Sequence, residues 1–101
     1  MEGESDGIRA DELCQMVVLV NRRGLHARAA AKFVQTSSQF KAEVNVARGD
    51  MRVSGQSIMG LMMLAAPCGT RIKLCASGAE AVQALSCLAD LVMRGFDEDI
   101  S

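Results

Sequence analysis

Residues 42–54 read Ala-Glu-Val-Asn-Val-Ala-Arg-Gly-Asp-Met-Arg-Val-Ser, and this stretch decides the fold class. Apolar and polar side chains alternate over 42–46 and again over 51–54, which is the period of a strand with one buried face. The tripeptide Arg48-Gly49-Asp50 lies between them and predicts a tight hairpin turn around the glycine. Strands joined by so short a turn are antiparallel, so we expect an antiparallel sheet with one face on the core.

The segments outside this hairpin predict two more strands and three helices. Apolar β-branched residues predict a strand at 16–20, and alternation predicts another at 71–76. Apolar residues three or four positions apart predict helices at 26–38 and 79–94, and a serine before an apolar run predicts a short helix at 57–64. The order β-α-β-β-α-β-α predicts an α+β fold in two layers, a four-stranded antiparallel sheet covered on one face by three helices.

Length and composition predict one folded domain with a tail at each end. The chain has 101 residues, half of them apolar, so a single core is expected to form without metal or disulfide support. Residues 1–13 carry five acidic side chains against one arginine and show no apolar period, which predicts a flexible acidic tail. We place the domain at 14–96 and a second flexible tail at 97–101.

Charge, aromatic content and cysteine spacing exclude several classes of protein. A net charge of −1, with three Phe and no Tyr or Trp, provides neither the basic surface nor the stacking platform of a nucleic-acid-binding protein. The longest apolar stretch, 58–68, is too short to cross a bilayer, and the acidic N-terminus is not typical of a secretory signal. The four cysteines lack the close spacing of a metal or redox motif, so we expect free thiols in the cytoplasm, with no metal and no cofactor. These cysteines are Cys14, Cys68, Cys75 and Cys87.

His26 is the only histidine, and it lies where the first helix is predicted to begin. The free backbone N–H groups of Ala27 and Arg28 and the positive end of the helix dipole favour a bound phosphate there. Imidazole is a nucleophile near neutral pH, and the Arg28 guanidinium matches the geometry of a phosphate. Arg23 adds a second positive charge, and Gly24 permits a close turn before the ring. The alternative, a histidine that only caps the helix or lies on the surface, stays open on these residues alone.

Two segments resemble one known family. Residues 23–30, Arg-Gly-Leu-His-Ala-Arg-Ala-Ala, resemble the active-site signature of the histidine-containing phosphocarrier protein family, HPr. Residues 55–62, Gly-Gln-Ser-Ile-Met-Gly-Leu-Met, resemble the second signature of that family, at the expected separation. The resemblance runs from about Met16 to Arg94, and it implies an open-faced β-sandwich of four antiparallel strands and three helices.

The resemblance implies a phosphoryl carrier that is turned over by other enzymes and is not itself an enzyme. Enzyme I, charged by phosphoenolpyruvate, would phosphorylate His26 on Nδ1, and Arg28 would stabilise the phosphate. The phosphoryl group would then pass to a IIA-type domain. Ala29 stands where most sugar-system members have proline, so the chain is more similar to the nitrogen-related or regulatory branch.

The serine that opens the second helix has two interpretations. Ser57 is a good N-cap by its residue type, and by resemblance it is the serine that an HPr kinase/phosphorylase phosphorylates. A phosphate at a helix N-terminus is compatible with the fold and adds negative charge to the surface beside it.

The helix behind Ser57 is apolar nearly all round, so part of it is expected to face solvent or a partner. We place Leu61 and Leu64 inward, and we assign partner docking to Ile58, Met59 and Met62, because methionine adapts to more than one partner. Simple core packing is the alternative for each of these side chains. A carrier that docks through so small a face is expected to be a monomer.

Two other functions are compatible with parts of this sequence. One is a purely regulatory interaction module of the same fold, controlled by phosphorylation of Ser57 alone. Such a module would not need His26. The other is a small-molecule-binding α/β regulatory domain, which would have a ligand pocket and would tolerate replacement of His26.

Overall fold

The computed structural model of the chain describes residues 12–98 and contains four strands and three helices in the predicted order. The predicted fold class, an open four-stranded antiparallel sheet with three helices, is confirmed. The elements in chain order are β1 (Leu13–Val18), α1 (Ala27–Ser37), β2 (Glu43–Arg48), β3 (Met51–Ser54), α2 (Ile58–Met63), β4 (Arg71–Ser77) and α3 (Ala81–Met93), followed by a short 3₁₀ segment (Gly95–Asp97).

The sheet has the strand order β1-β4-β2-β3, and every neighbouring pair is antiparallel. The alternation in β2 buries Val44 and Val46, which are 2% and 0% exposed, against the helices. Leu74 of β4 pairs with Val46 of β2 and is fully buried beside it. Phe33 of α1 belongs to the same core, so the first helix is held on the covered face of the sheet.

The hairpin between β2 and β3 has the predicted tight turn. Arg48 pairs with Met51, which leaves Gly49 and Asp50 as the two turn residues. Gly49 has φ +58°, a left-handed conformation that glycine adopts without steric cost. The glycine therefore explains why the chain reverses at this point.

Strand β1 begins at Leu13 and ends at Val18, earlier than the predicted 16–20. The strand lies at an edge of the sheet, and five of its six side chains are exposed. The bounds of β1 are those of its pairing with β4, which covers Leu13–Val18. The apolar run at 16–20 therefore could not show where the strand begins.

The described body extends beyond the predicted domain bounds of 14–96. It includes Leu13 in β1 at one end, and Glu98 hydrogen-bonds to the body at the other. The rest of the predicted tails, residues 1–11 and 99–101, lies outside the described residues. Among the helices of residues 12–98, none is long and apolar enough to cross a membrane.

Two of the four cysteines form a disulfide, so the expectation of four free thiols is wrong for Cys14 and Cys75. Cys14 of β1 lies directly opposite Cys75 of β4 in the sheet register. The two residues are 61 positions apart in sequence, and only the strand pairing brings them together. Cys68 and Cys87 are free.

Reduction of the Cys14–Cys75 disulfide is expected to lower the free energy of unfolding by about 2–4 kcal/mol, because it releases a long loop in the unfolded chain. The measurement is urea denaturation with and without a thiol reductant. Cys14→Ser, which has no disulfide, is the control and is expected to be insensitive to the reductant. An unchanged midpoint for the reduced wild type would contradict this prediction.

Candidate functional site

His26 is the N-cap residue of α1, as the sequence predicts. Its backbone is extended, with φ −81° and ψ 179°, and its carbonyl oxygen accepts the hydrogen bond of the Ala30 amide at 2.8 Å. The imidazole does not cap the helix, because it makes no hydrogen bond to the first-turn amides. The side chain is 14% exposed, so most of the ring is packed against protein and a small part of it reaches solvent.

The loop that precedes His26 packs closely against neighbouring backbone and so fixes the position of the imidazole ring. Gly24 has φ +65° and lies against the backbone of the segment after α2, where a Cβ would be 2.8 Å from the Cα of Pro67. The Leu25 amide donates to the carbonyl oxygen of Ala66 at 2.9 Å, and Leu25 is buried. The loop before His26 is thus fixed to the loop that connects α2 to β4.

Gly24→Ala is expected to lower the free energy of unfolding by more than the roughly 1–2 kcal/mol that a left-handed conformation costs a non-glycine residue. The added Cβ would also collide with backbone atoms that cannot move easily. Gly49→Ala is the matched control, because Gly49 has a similar φ of +58° and no heavy atom within 4 Å of the added Cβ. Thermal and urea unfolding of both variants measure the difference, and equal losses would contradict the close approach at Gly24.

Glu98 is the side chain that contacts the His26 ring. Its Oε2 lies 2.6 Å from Nε2 of His26. Its Oε1 accepts a 3.0 Å hydrogen bond from Nδ2 of Asn21, and the same nitrogen donates to the Gly24 carbonyl at 2.7 Å. The carboxylate therefore joins the ring to the loop that precedes it.

A left-handed turn after α3 brings Glu98 to this position. Gly95, Phe96 and Asp97 have φ angles of +70°, +56° and +64°. Phe96 is completely buried, and its carbonyl oxygen accepts a 2.7 Å hydrogen bond from Lys32 of α1. Two successive non-glycine residues in this region are costly and persist only when surrounding contacts hold them. Burial of Phe96 and the Lys32 hydrogen bond supply those contacts.

The environment keeps Glu98 ionised. Burial alone would raise the pKa of Glu98, but hydrogen bonds from Asn21 and His26 and the positive charge of Arg23 lower it below its usual value. A lowered pKa in the folded state stabilises the fold at a pH above the unfolded value. That contribution is lost as the pH falls through the folded-state pKa.

Basic side chains surround a surface depression of about 340 Å³ that shares Glu98 with the histidine. It is lined by Arg22, Arg23, Arg28, Lys32, Asp97 and Glu98. Arg28 is exposed and forms no ion pair within residues 12–98. The amides of Ala27 and Arg28 likewise donate no hydrogen bond inside that part of the chain. In the described part of the chain, free amides at a helix start lie beside the guanidinium of Arg28, which has no ion-pair partner there, and such a setting attracts an anion.

Some of these groups were missed by sequence reasoning. Arg22 adjoins the predicted Arg23, and Lys32 follows Arg28 by one helical turn, so their positions could have been inferred. Glu98 carries no such signal, because it lies 72 residues from His26 in a segment predicted to be a flexible tail.

Ser57 is the N-cap of α2, and its Oγ accepts a 2.9 Å hydrogen bond from the Gly60 amide. Leu61 and Leu64 are buried, as predicted. The three side chains predicted to face outward are exposed: Ile58 by 41%, Met59 by 74% and Met62 by 42%. Met63, which the sequence did not single out, is also exposed. Helices α1 and α2 pack against each other, so this apolar surface belongs to the same side of the molecule as the first helix.

Comparison with known proteins gives one family. Residues 13–94 match the family model described as the PTS HPr component phosphorylation site. A phosphocarrier protein HPr of Neisseria meningitidis is 54% identical over 86 residues, covering 85% of this chain and 97% of that protein. A phosphocarrier protein NPr of Shewanella violacea is 39% identical over 87 residues, covering 86% of this chain and 96% of that protein. The crystal structure of an HPr from Thermoanaerobacter tengcongensis superposes with a TM-score of 0.82 at 38% identity, covering 86% of this chain and 98% of that one.

Proposed function

Because the chain belongs to the HPr phosphocarrier family of the phosphotransferase system, we propose that His26 is the residue on which it carries a phosphoryl group. The observation that supports this most is the position of the ring at the start of α1, beside amides and an Arg28 guanidinium that have no partner within residues 12–98. Nε2 of His26 is engaged by Glu98, so Nδ1 is the nitrogen left to react.

The proposed reaction is a direct transfer in two steps. The lone pair of Nδ1 forms the N–P bond while the bond between phosphorus and the donor, phosphorylated enzyme I, breaks and returns its electron pair to the donor. In the second step a nucleophile of a IIA-type domain bonds to phosphorus, and the N–P electron pair returns to Nδ1. The amides of Ala27 and Arg28, the Arg28 guanidinium and the charge of Arg23 would hold the phosphoryl oxygens between the steps.

The donor and the acceptor would use the same docking surface in turn. Ile58, Met59 and Met62 form an exposed apolar patch on α2. Flexible methionine side chains can repack against two different partners. The basic side chains beside His26 favour partners with acidic surfaces. We expect the carrier to act as a monomer in the cytoplasm, although the Cys14–Cys75 disulfide removes the free-thiol argument for that compartment.

We assign regulation to Ser57, as the substrate of an HPr kinase/phosphorylase. A phosphate there would lie at the N-terminus of α2, next to the exposed Ile58 and Met59. It would reduce binding of acidic partners by repulsion rather than by unfolding, because an anion is tolerated at a helix start.

Whether the chain serves the nitrogen-related or the sugar branch of the phosphotransferase system stays a prediction. Ala29 favours the nitrogen-related branch, whereas relatives named HPr and NPr both match the chain. Ala29 is the third residue of α1, and its amide donates no hydrogen bond inside residues 12–98, so a proline at this position would remove no helix hydrogen bond.

The test is a two-step transfer with purified components. The chain is incubated with phosphoenolpyruvate and enzyme I, freed of both, and mixed with a IIA-type domain. We expect the phosphoryl group to appear on the chain and then leave it for the acceptor. A chain that acquires phosphate only on Ser57, from the kinase and ATP, would instead be a regulatory module.

A further inference from the structure

We propose that Glu98 is a positioning residue for phosphoryl transfer, which holds the His26 proton on Nε2 and stabilises the positive charge of the phosphorylated ring. The proposal rests on the proposed function of His26 and adds a role for a side chain outside the two sequence signatures.

The proton assignment follows from the type of acceptor. A carboxylate has no proton to donate, so the 2.6 Å contact between Oε2 of Glu98 and Nε2 of His26 requires the proton on Nε2. A neutral imidazole with its proton on Nε2 carries its lone pair on Nδ1. Glu98 thus selects the tautomer in which Nδ1 is the nucleophile.

The carboxylate is itself held in place. Nδ2 of Asn21 donates to Oε1 of Glu98, and Asn21 is completely buried beneath the loop that presents His26. The left-handed residues Phe96 and Asp97 direct the chain back to the site, and Lys32 of α1 fixes the Phe96 carbonyl. Glu98 is therefore held against His26 by a hydrogen bond of its own side chain and by a turn that packs on α1.

The charge on the ring changes during the reaction. When Nδ1 forms its bond to phosphorus, Nε2 keeps its proton and the imidazole becomes a cation. A carboxylate against Nε2–H stabilises that cation through a charge-assisted hydrogen bond. When the N–P electron pair returns to Nδ1 on transfer to the acceptor, the ring becomes neutral and the original contact is restored. Glu98 gains and loses no atom in either step.

The carboxylate also has a counterpart among the cations of the site. Arg23, Arg28 and Lys32 lie around the depression that Glu98 shares, and they serve the anionic phosphoryl group. Glu98 lines the same depression and contacts Nε2 of His26, where it would stabilise the positive charge that develops on the ring.

The experiment compares wild type, Glu98→Ala and Glu98→Gln. Long-range ¹H–¹⁵N NMR of the imidazole reports which nitrogen carries the proton, and rapid-quench labelling with enzyme I and phosphoenolpyruvate reports the phosphorylation rate. Asp90→Asn is the control, since it removes an exposed carboxylate of α3 that pairs with Arg94 instead.

In wild type we expect the proton on Nε2. Glu98→Ala is expected to abolish the preference of the His26 proton for Nε2. It is also expected to slow phosphorylation by roughly tenfold to a hundredfold, the loss typical of one hydrogen bond to a charged group. Glu98→Gln, whose amide oxygen still accepts a hydrogen bond, is expected to keep more of the Nε2–H tautomer than the alanine variant while losing rate. The Asp90→Asn control is expected to match wild type.

A wild-type ring protonated on Nδ1 would overturn the proposal, and so would an alanine variant with unchanged tautomer and rate. If wild type were not phosphorylated at all, the proposed function would fail. The NMR measurement would then still show whether Glu98 controls the tautomer of His26.

Discussion

Replacing His26 with alanine is expected to abolish acceptance of phosphate from enzyme I completely. The chain has one histidine, and alanine offers no atom that can form an N–P bond. The free amides and Arg28 would still attract phosphate as a bound ion, but such an ion does not survive desalting. The measurement is the amount of label from phosphoenolpyruvate that remains covalently attached to the desalted protein.

The His26→Ala variant is expected to fold. The ring caps no helix amide, and within residues 12–98 its only hydrogen bond is the part-buried one to Glu98. Far-ultraviolet circular dichroism and urea unfolding of the variant are the control. A folded His26→Ala protein that is labelled to the wild-type level would contradict the assignment of His26.

Ser57→Asp is expected to slow phosphorylation of His26 by roughly tenfold at low ionic strength, within the range by which surface charges change association rates. The variant adds a permanent negative charge at the N-terminus of α2, beside the exposed apolar patch. Screening weakens this repulsion, because the Debye length falls from about 30 Å at 0.01 M salt to about 8 Å at 0.15 M. The rate difference from wild type is therefore expected to shrink as salt is added.

Ser57→Asn is the matched control for this prediction. Asparagine is as good an N-cap as aspartate and nearly the same size, but it is neutral. Both variants can accept the hydrogen bond that Ser57 takes from the Gly60 amide. An asparagine variant as slow as the aspartate variant, or a defect that does not depend on salt, would point to altered docking geometry in place of repulsion.

The parts of the fold that were predictable are those with local causes. Alternation around Gly49 predicted the hairpin, because the buried face and the left-handed turn are both encoded within 42–54. The edge strand β1 was displaced in the prediction, since its exposed residues follow the pairing with β4 and not an apolar period.

The site divides in the same way. His26, Arg28 and the first-turn amides of α1 adjoin one another in sequence, and the prediction located them together. Glu98 and the Cys14–Cys75 disulfide depend on contacts across 72 and 61 residues. Such contacts form only in the tertiary fold, so no local pattern in a single sequence predicts them.

The most direct test of phosphoryl carriage is the intact mass of the chain after incubation with enzyme I and phosphoenolpyruvate, before and after an acid wash. We predict the gain of one phosphate that acid removes, because a phosphorus–nitrogen bond to protonated imidazole is labile and phosphoserine survives the same treatment. An unchanged mass, together with an acid-stable phosphate that appears only with the kinase and ATP, would contradict this account and leave Ser57 as the centre of function.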